Sequence, residues 1–582
     1  MKLHPFAPER QVGTVYQVDG SYVGVAFSDA SKLPKSHFGE ALGRGEVGEF
    51  LVVDVGGLGV FGRVISVETA VGNADILAQG KSDKHVPVQG KLQLLSTLRL
   101  SGEGVRGVAK YPRVGDPVYA ASAEVIKAIL DDSLSDSDEA INLGRLSVDD
   151  AVEVSVPMTR LFGRHLAIVG ATGSGKSWTL GHLTESVANK HGKMILIDAT
   201  GEFHTLGDKA AHIAFGNDDG EPKSTTVVGI PHYMMRESDR NAFLNPSSGS
   251  QLPKLRDAVR SLRLAEAINV DTSASEAHRR IRRADGQVVK AGGNIANFQG
   301  AMAHYASVVN DPNSHFDIAL LAMQVVNECI YASGNSGATS PTFGNVNPNE
   351  LSYVGTLVSR INDLLQTPEV MGVIDPQGSV GNALSRIDEW IEDKGSSVLR
   401  ISLRNLTFAN HLREIVVNIM GQALLARARE RRFRDYPLLV AIDEAHQFFD
   451  VTVGDEYSST RLNAFDSIAK EGRKYGLTVC VATQRPGDLP AGVLSQVGMT
   501  IVHRLADGRD RQRIEQAAAE LDHSATRLLP GLIPGEAILM GVDFPVPMSV
   551  KIQRPTRPPE SDDPKYQNWR ASANNASSVK QP

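Results

Sequence analysis

The run Gly170-Ala171-Thr172-Gly173-Ser174-Gly175-Lys176-Ser177 follows the pattern G-x-x-x-x-G-K-S/T at every position. Three glycines let a short loop turn its N–H groups inward around phosphate oxygens, Lys176 reaches the β- and γ-phosphates, and Ser177 holds Mg²⁺. Trp178 follows directly, so the candidate nucleotide contacts run from Gly170 to Trp178. A second set of groups lies far downstream: the apolar run in PLLVAIDEAH ends in Asp443-Glu444. An acid at a strand tip can bind Mg²⁺ through water, and the next one can polarise an attacking water, which gives Asp443 and Glu444 those roles. Gln484 ends another apolar run, LTVCVAT; its amide could hydrogen-bond a γ-phosphate or the lytic water, or simply serve as a polar turn residue.

The elements that must position these groups are short buried strands and the helices between them. Leu166–Val169 reads as a strand feeding the loop, Trp178–Lys190 as the helix after it, and MILID at 194–198 as a second parallel strand. This is the βαβ unit of an α/β NTPase, whose ligand sits at the carboxyl ends of the strands. Asp198 and Glu202, just past the second strand, could orient water, Mg²⁺ or the loop, or could cap turns. Further on, the pattern predicts a strand over Val398–Leu403, helices over Leu412–Glu430 and Ser458–Arg473, and a strand over Leu477–Ala482. An edge or final strand over Thr500–Arg504 and a helix around Asp510–Leu521 follow.

Outside this core, VGTVYQV and YVGVAF flank Asp19-Gly20-Ser21, and more β-rich segments follow to a strand at Ala151–Val156, which predicts a small β-barrel domain over residues 1–157. The core then occupies 158–206 and 398–550, interrupted by a helical insertion over 207–397, and 551–582 form an extended tail able to pack on a neighbour. Within the insertion, the polar run Tyr331–Glu350 reads as an exposed loop.

At 582 residues, with 41% apolar and 22% charged residues, the chain is expected to be globular and cytoplasmic, with no membrane partner. Its two cysteines, Cys329 and Cys480, exclude a disulfide framework or a cysteine zinc site. A net charge of −7 excludes a uniformly basic nucleic-acid platform but leaves room for a local basic channel. Arg509, Arg511, Arg513 and the cluster Arg279–Arg283 are candidates for its lining, and each is equally consistent with a solvated face. His446, His503 and His523 are not spaced as metal ligands and read as structural histidines.

The blocks IVGATGSGKS, ILIDATGEF, LLVAIDEAH, AKEGRKYGLTVCVATQRPGDLP, LSQVGMTIVHRL and LLPGLIPGEAIL, in this order, resemble those of the HerA-like ATPases, a bacterial member being the expectation. That group contains hexameric DNA translocases related to FtsK. The resemblance implies a RecA-like P-loop core with an N-terminal β-barrel, and ATP and Mg²⁺ as cofactors. It also makes Lys176 the phosphate-binding lysine, Ser177 and Asp443 the Mg²⁺ residues, Glu444 the catalytic glutamate and Gln484 the sensor. Arg473 is similar to an arginine supplied across a subunit interface, and Arg164 matches another interface arginine; either could otherwise be a surface ion pair.

The function these residues and this resemblance imply is that of a homohexameric ring pulling double-stranded DNA through its channel. A separately encoded nuclease or sirtuin-like NADase would act with it in DNA processing or anti-phage defence. The alternative is an ATP-regulated ring scaffold that assembles and activates a partner enzyme with little translocation.

Overall fold

The computed structural model describes residues 4–27, 36–37, 40–41, 46–69, 88–99, 104–131, 140–334, 341–378, 380–454, 459–517, 523–541 and 546–560. Two units make up the chain, 1–186 with 478–556, and 187–477 with 557–582.

In the first unit the N-terminal strands close a barrel. Tyr22–Phe27, Gln11–Val18, Pro117–Ala120, Phe50–Asp54, Gly59–Thr69 and Val88–Leu98 pair in that order, and the last returns antiparallel to the first. Alternation drives this closure, since every second residue of a strand points to the same face. Val15, Val25, Leu51, Val53, Val60, Leu92 and Val118 meet in one apolar interior. Gly90 is required for the closing pair, because a Cβ there would lie 2.4 Å from the ring of Phe27.

The expected barrel strand at 151–156 lies elsewhere. Asp149–Pro157 pairs with Ala140–Leu146, which pairs in turn with Met548–Ile552, far along the chain. Its pattern fits either sheet, so only the distant partner decides. These strands edge a mixed sheet that continues through Glu536–Gly541, Val497–Val502, His165–Val169 and Leu477–Thr483. The strand expected near Thr500 is therefore flanked on both sides rather than lying at an edge.

The second unit carries a parallel sheet in the order Leu438–Ile442, Lys193–Asp198, Val398–Ser402, Ala211–Phe215, Thr226–Gly229 and Gly381–Asn382. Its first three strands are buried throughout, as parallel strands covered on both faces must be. Three of the six strands come from the stretch expected to be a purely helical insertion. They escape notice because Thr226–Gly229 and Gly381–Asn382 are too short to show a period. The helices of that stretch do form, among them Gln251–Val270, Pro348–Leu365 and Ala383–Glu392.

A helix expected over 458–473 is replaced at its start by a hairpin strand, Ser459–Leu462, paired with Val451–Gly454; Ala464–Glu471 is the helix that remains. The loop expected over 331–350 folds back on itself where it is described, with Tyr331 N donating to Asn345 O at 3.0 Å. Of the tail, 561–582 lie outside the described residues. Arg557 and Glu560 pack on their own chain, Arg557 donating to the carbonyl of Leu206 and the Glu560 amide to that of Glu202. No helix among the described residues is long and apolar enough to cross a membrane.

Candidate functional site

In the first unit the buried strand His165–Val169 delivers the chain into the glycine loop, and the helix Lys176–Asn189 leaves it. Gly173 and Gly175 have φ of 72° and 110°, a region that L side chains avoid. A Cβ on Gly173 would meet nothing within 4 Å, so the loop faces open space there. The Ser174 hydroxyl is buried and has no hydrogen-bond partner. These features, with Lys176 buried at the start of a helix, fit a phosphate group bound by backbone N–H groups. Ser177 is half-buried, while the exposed indole of Trp178 carries the guanidinium of Arg554 4.5 Å from its centroid.

Gln484 follows the strand next to this loop. Parallel pairing of His165–Val169 with Leu477–Thr483 brings both carboxyl ends together, and the Thr172 hydroxyl donates to Gln484 Oε1 at 2.6 Å. The spacing of 312 residues hides this bond in the sequence. Arg164 precedes the same strand at its amino end, so the five-residue strand separates it from the loop by roughly 16 Å at 3.3 Å per residue. It does not reach its own chain's loop.

A histidine supports the loop from below. His503 is fully buried; its Nδ1 donates to the Glu536 carbonyl at 2.8 Å, leaving Nε2 to accept from the Thr179 hydroxyl at 2.8 Å. Burial, opposed by the Glu536 bond and reinforced by the charge of Lys176, pushes its pKa down to about 4. Gly170 must lack a side chain here, since a Cβ would lie 2.6 Å from His503 Cβ. The reading of His503 as structural is correct, but the sequence carries no sign that it props the phosphate loop. His523 heads a short helix, His523–Leu528.

In the second unit, Asp443 continues the ladder of Leu438–Ile442, its amide donating to the Ile197 carbonyl at 3.0 Å. The Thr200 hydroxyl lies 3.5 Å from Asp443 Oδ2. Glu444 takes φ 49° and ψ 44°, the left-handed region, with its carboxylate 3.4 Å from His446 Nδ1. A non-glycine residue held there stores strain, which persists where the surroundings over-determine it. Arg473 is exposed in the turn Gly472–Tyr475.

Asp198 is a structural acid. Its carboxylate accepts from Gly201 N at 2.8 Å, Phe203 N at 3.0 Å and Arg400 Nε at 2.7 Å, all buried. Arg400, fully buried, also binds Glu221, and the two carboxylates outweigh burial to raise its pKa. Of the roles open to Asp198, holding the turn Ala199–Phe203 is the one these bonds perform. Glu202 opens the short helix Glu202–Lys209 that follows.

Both cysteines are buried and unbridged, burial pushing Cys329 up to about 11 and Cys480 higher still. No cluster of three or more metal-ligating side chains occurs among the described residues. Arg511 and Arg513 lie on the helix Gly508–Ala517, where Arg509 also sits, and Arg513 donates to the Leu489 carbonyl. In the other basic cluster Arg280 pairs with Glu276 and Arg279 caps Thr272 O.

A glycine loop between a buried parallel strand and a helix, in a chain built of parallel and mixed sheets with a six-stranded barrel, defines an α/β P-loop ATPase fold. Residues 141–298 match the family model described as helicase HerA, central domain. The DNA double-strand break repair helicase HerA of Saccharolobus solfataricus is 26% identical over 442 residues, covering 76% of this chain and 73% of that protein. HerA of Pyrococcus furiosus is 23% identical over 488 residues, 79% and 77% of the two chains. This chain is thus a distant homologue of archaeal HerA. Among solved structures, the bacterial conjugative coupling protein TrwB aligns with 75% of this chain at 15% identity and a TM-score of 0.42, a likeness too loose to bear on function.

Proposed function

We propose that this protein is an ATP-driven double-stranded DNA translocase or helicase that works as a homohexameric ring. The observation that carries the reading is the phosphate loop: left-handed Gly173 and Gly175, a buried Lys176 at a helix start, and Thr172 tied to Gln484 on the neighbouring strand tip. The match of 141–298 to the HerA central domain and the homology to the two archaeal helicases support its extension to DNA.

In this reading Gly170 to Trp178 bind ATP, Lys176 neutralises the β- and γ-phosphates, and Ser177 with Asp443 holds Mg²⁺, which supplies charge compensation on the phosphates. Glu444 orients and deprotonates the attacking water. Gln484 senses the γ-phosphate and passes its loss to the loop through Thr172. Arg473, exposed on a turn, is offered to a neighbouring subunit's nucleotide. Arg164 acts only in trans, because its place at the far end of the strand keeps it from its own loop. DNA affinity comes mainly from phosphate contacts and falls steeply with salt. A bacterial setting and a nuclease or sirtuin-like partner in phage defence complete the proposal.

The test is the ATPase rate with and without linear duplex DNA, alone and with the product of the adjacent gene. Stimulation by DNA supports the motor. Neither stimulation nor DNA binding at low salt, in both cases, refutes it and leaves the ring scaffold.

A further inference from the structure

A cleft of 460 Å³ lies in the second unit between the helices Glu237–Leu244 and Gln251–Val270 and the segment that follows Val309. Arg256, Arg260 and Arg263 fall four and three residues apart, so they share one face of the longer helix, and Arg240 lines the cleft from the shorter one. Four arginines and two acids, Glu237 and Asp257, thus line the cleft. Glu237 is engaged by Arg256 at 2.6 and 2.9 Å, and the rest of the lining carries Arg240, Arg260 and Arg263 with Asp257.

The two innermost arginines touch no acid, although Glu237 and Asp239 act on Arg240, and Asp311 on Arg263, from further off. Among the described residues neither Arg240 nor Arg263 makes an ion pair; both are held by carbonyl oxygens. Arg263 donates to those of Ser314, Val309 and Pro312 at 3.2, 3.4 and 2.6 Å, and Arg240 to those of Met235 and His232. Carbonyl dipoles orient a guanidinium but do not neutralise it, and arginine cannot shed its proton in a protein. Burial first, and then the charge of Arg263, lower the pKa of Arg240 to about 10 against the opposing pull of Glu237 and Asp239. Beside them the buried Asn241 Oδ1 has no hydrogen-bond partner.

We infer that this cleft binds a small phosphorylated ligand of nucleotide size, its phosphate held by Arg240, Arg260 and Arg263 and a hydroxyl or N–H donated to Asn241. The volume falls within the range of small-molecule sites, about 300–1,000 Å³. Guanidiniums that run around a cleft from buried Arg263 to exposed Arg260 suit a compact anion rather than a duplex backbone, which needs charge on an open surface. Planar forks pair with phosphate oxygens two at a time, the geometry arginine supplies and lysine does not.

The experiment measures binding of inorganic pyrophosphate and of AMP to the full chain carrying Lys176→Ala, which weakens the phosphate loop, by equilibrium dialysis. About one equivalent is expected to bind, with the two probes competing; tighter AMP marks a nucleoside phosphate and tighter pyrophosphate a free phosphate. Adding Arg260→Gln at the rim should weaken binding at least about tenfold and Arg260→Lys less. Leu252→Trp, which fills the cleft and leaves every arginine in place, should abolish it while the melting temperature stays close to the parent's. No binding at millimolar probe, or binding unchanged by both Arg260→Gln and Leu252→Trp, overturns the assignment.

Discussion

His503 ties the stability of the phosphate loop to pH, and the sign follows from its surroundings. Its pKa is about 4 in the folded chain against an ordinary 6.5, because the imidazolium would be buried and beside the charge of Lys176. Below pH 6.5 the unfolded chain takes up a proton that the folded chain refuses, so stability falls with decreasing pH down to about 4 and is then level. The full span of about 2.5 units amounts to roughly 3 kcal/mol, of which about 2 kcal/mol is lost between pH 7 and pH 5. Urea unfolding of wild type and His503→Gln at those two pH values isolates this contribution, since the other buried histidines, His212 and His232, are common to both chains. The variant should be less stable than wild type at pH 7, because its amide does not reproduce both 2.8 Å bonds, yet that deficit should shrink by about 2 kcal/mol at pH 5. Equal losses in the two proteins would refute the assignment of a neutral imidazole under the loop.

Arg400→Leu leaves Asp198 and Glu221 as buried carboxylates without their cation, and should destabilise the second unit by about 3–5 kcal/mol in denaturant unfolding. Gly175→Ala places a Cβ at a φ of 110° and 3.1 Å from Gly535, so nucleotide affinity measured by fluorescence titration should drop sharply. Thr172→Val removes the 2.6 Å bond to Gln484; turnover should fall while ATP affinity and melting temperature stay close to wild type. Glu444→Gln should retain ATP binding and lose turnover in a phosphate-release assay, and retained turnover refutes the role given to that acid.

The chemistry of the loop was legible in the sequence because a phosphate cradle needs particular residue types at fixed local spacing, and the strands at 166–169, 194–198, 438–442 and 477–483 were legible as short apolar runs. What stayed hidden depends on partners hundreds of residues away. Asp149–Pro157 looks like a barrel strand until Met548–Ile552 is found on the far side of its hairpin. Nothing local in the run RISLRNL marks Arg400 as buried, yet it is fully buried, with Asp198 and Glu221 meeting it. The strands inside 207–397 were missed for a different reason. Gly381–Asn382 is two residues long, below any length at which alternation can be seen, and parallel pairing with Thr226–Gly229 alone defines it.

Movement along duplex DNA is the central claim, and displacement of a third strand from a linear triplex reads it directly. Wild-type protein is predicted to release the third strand only with ATP and Mg²⁺, at a rate that falls with added salt, while Glu444→Gln releases none. Absence of ATP-dependent release by wild type that binds the same DNA would contradict the account.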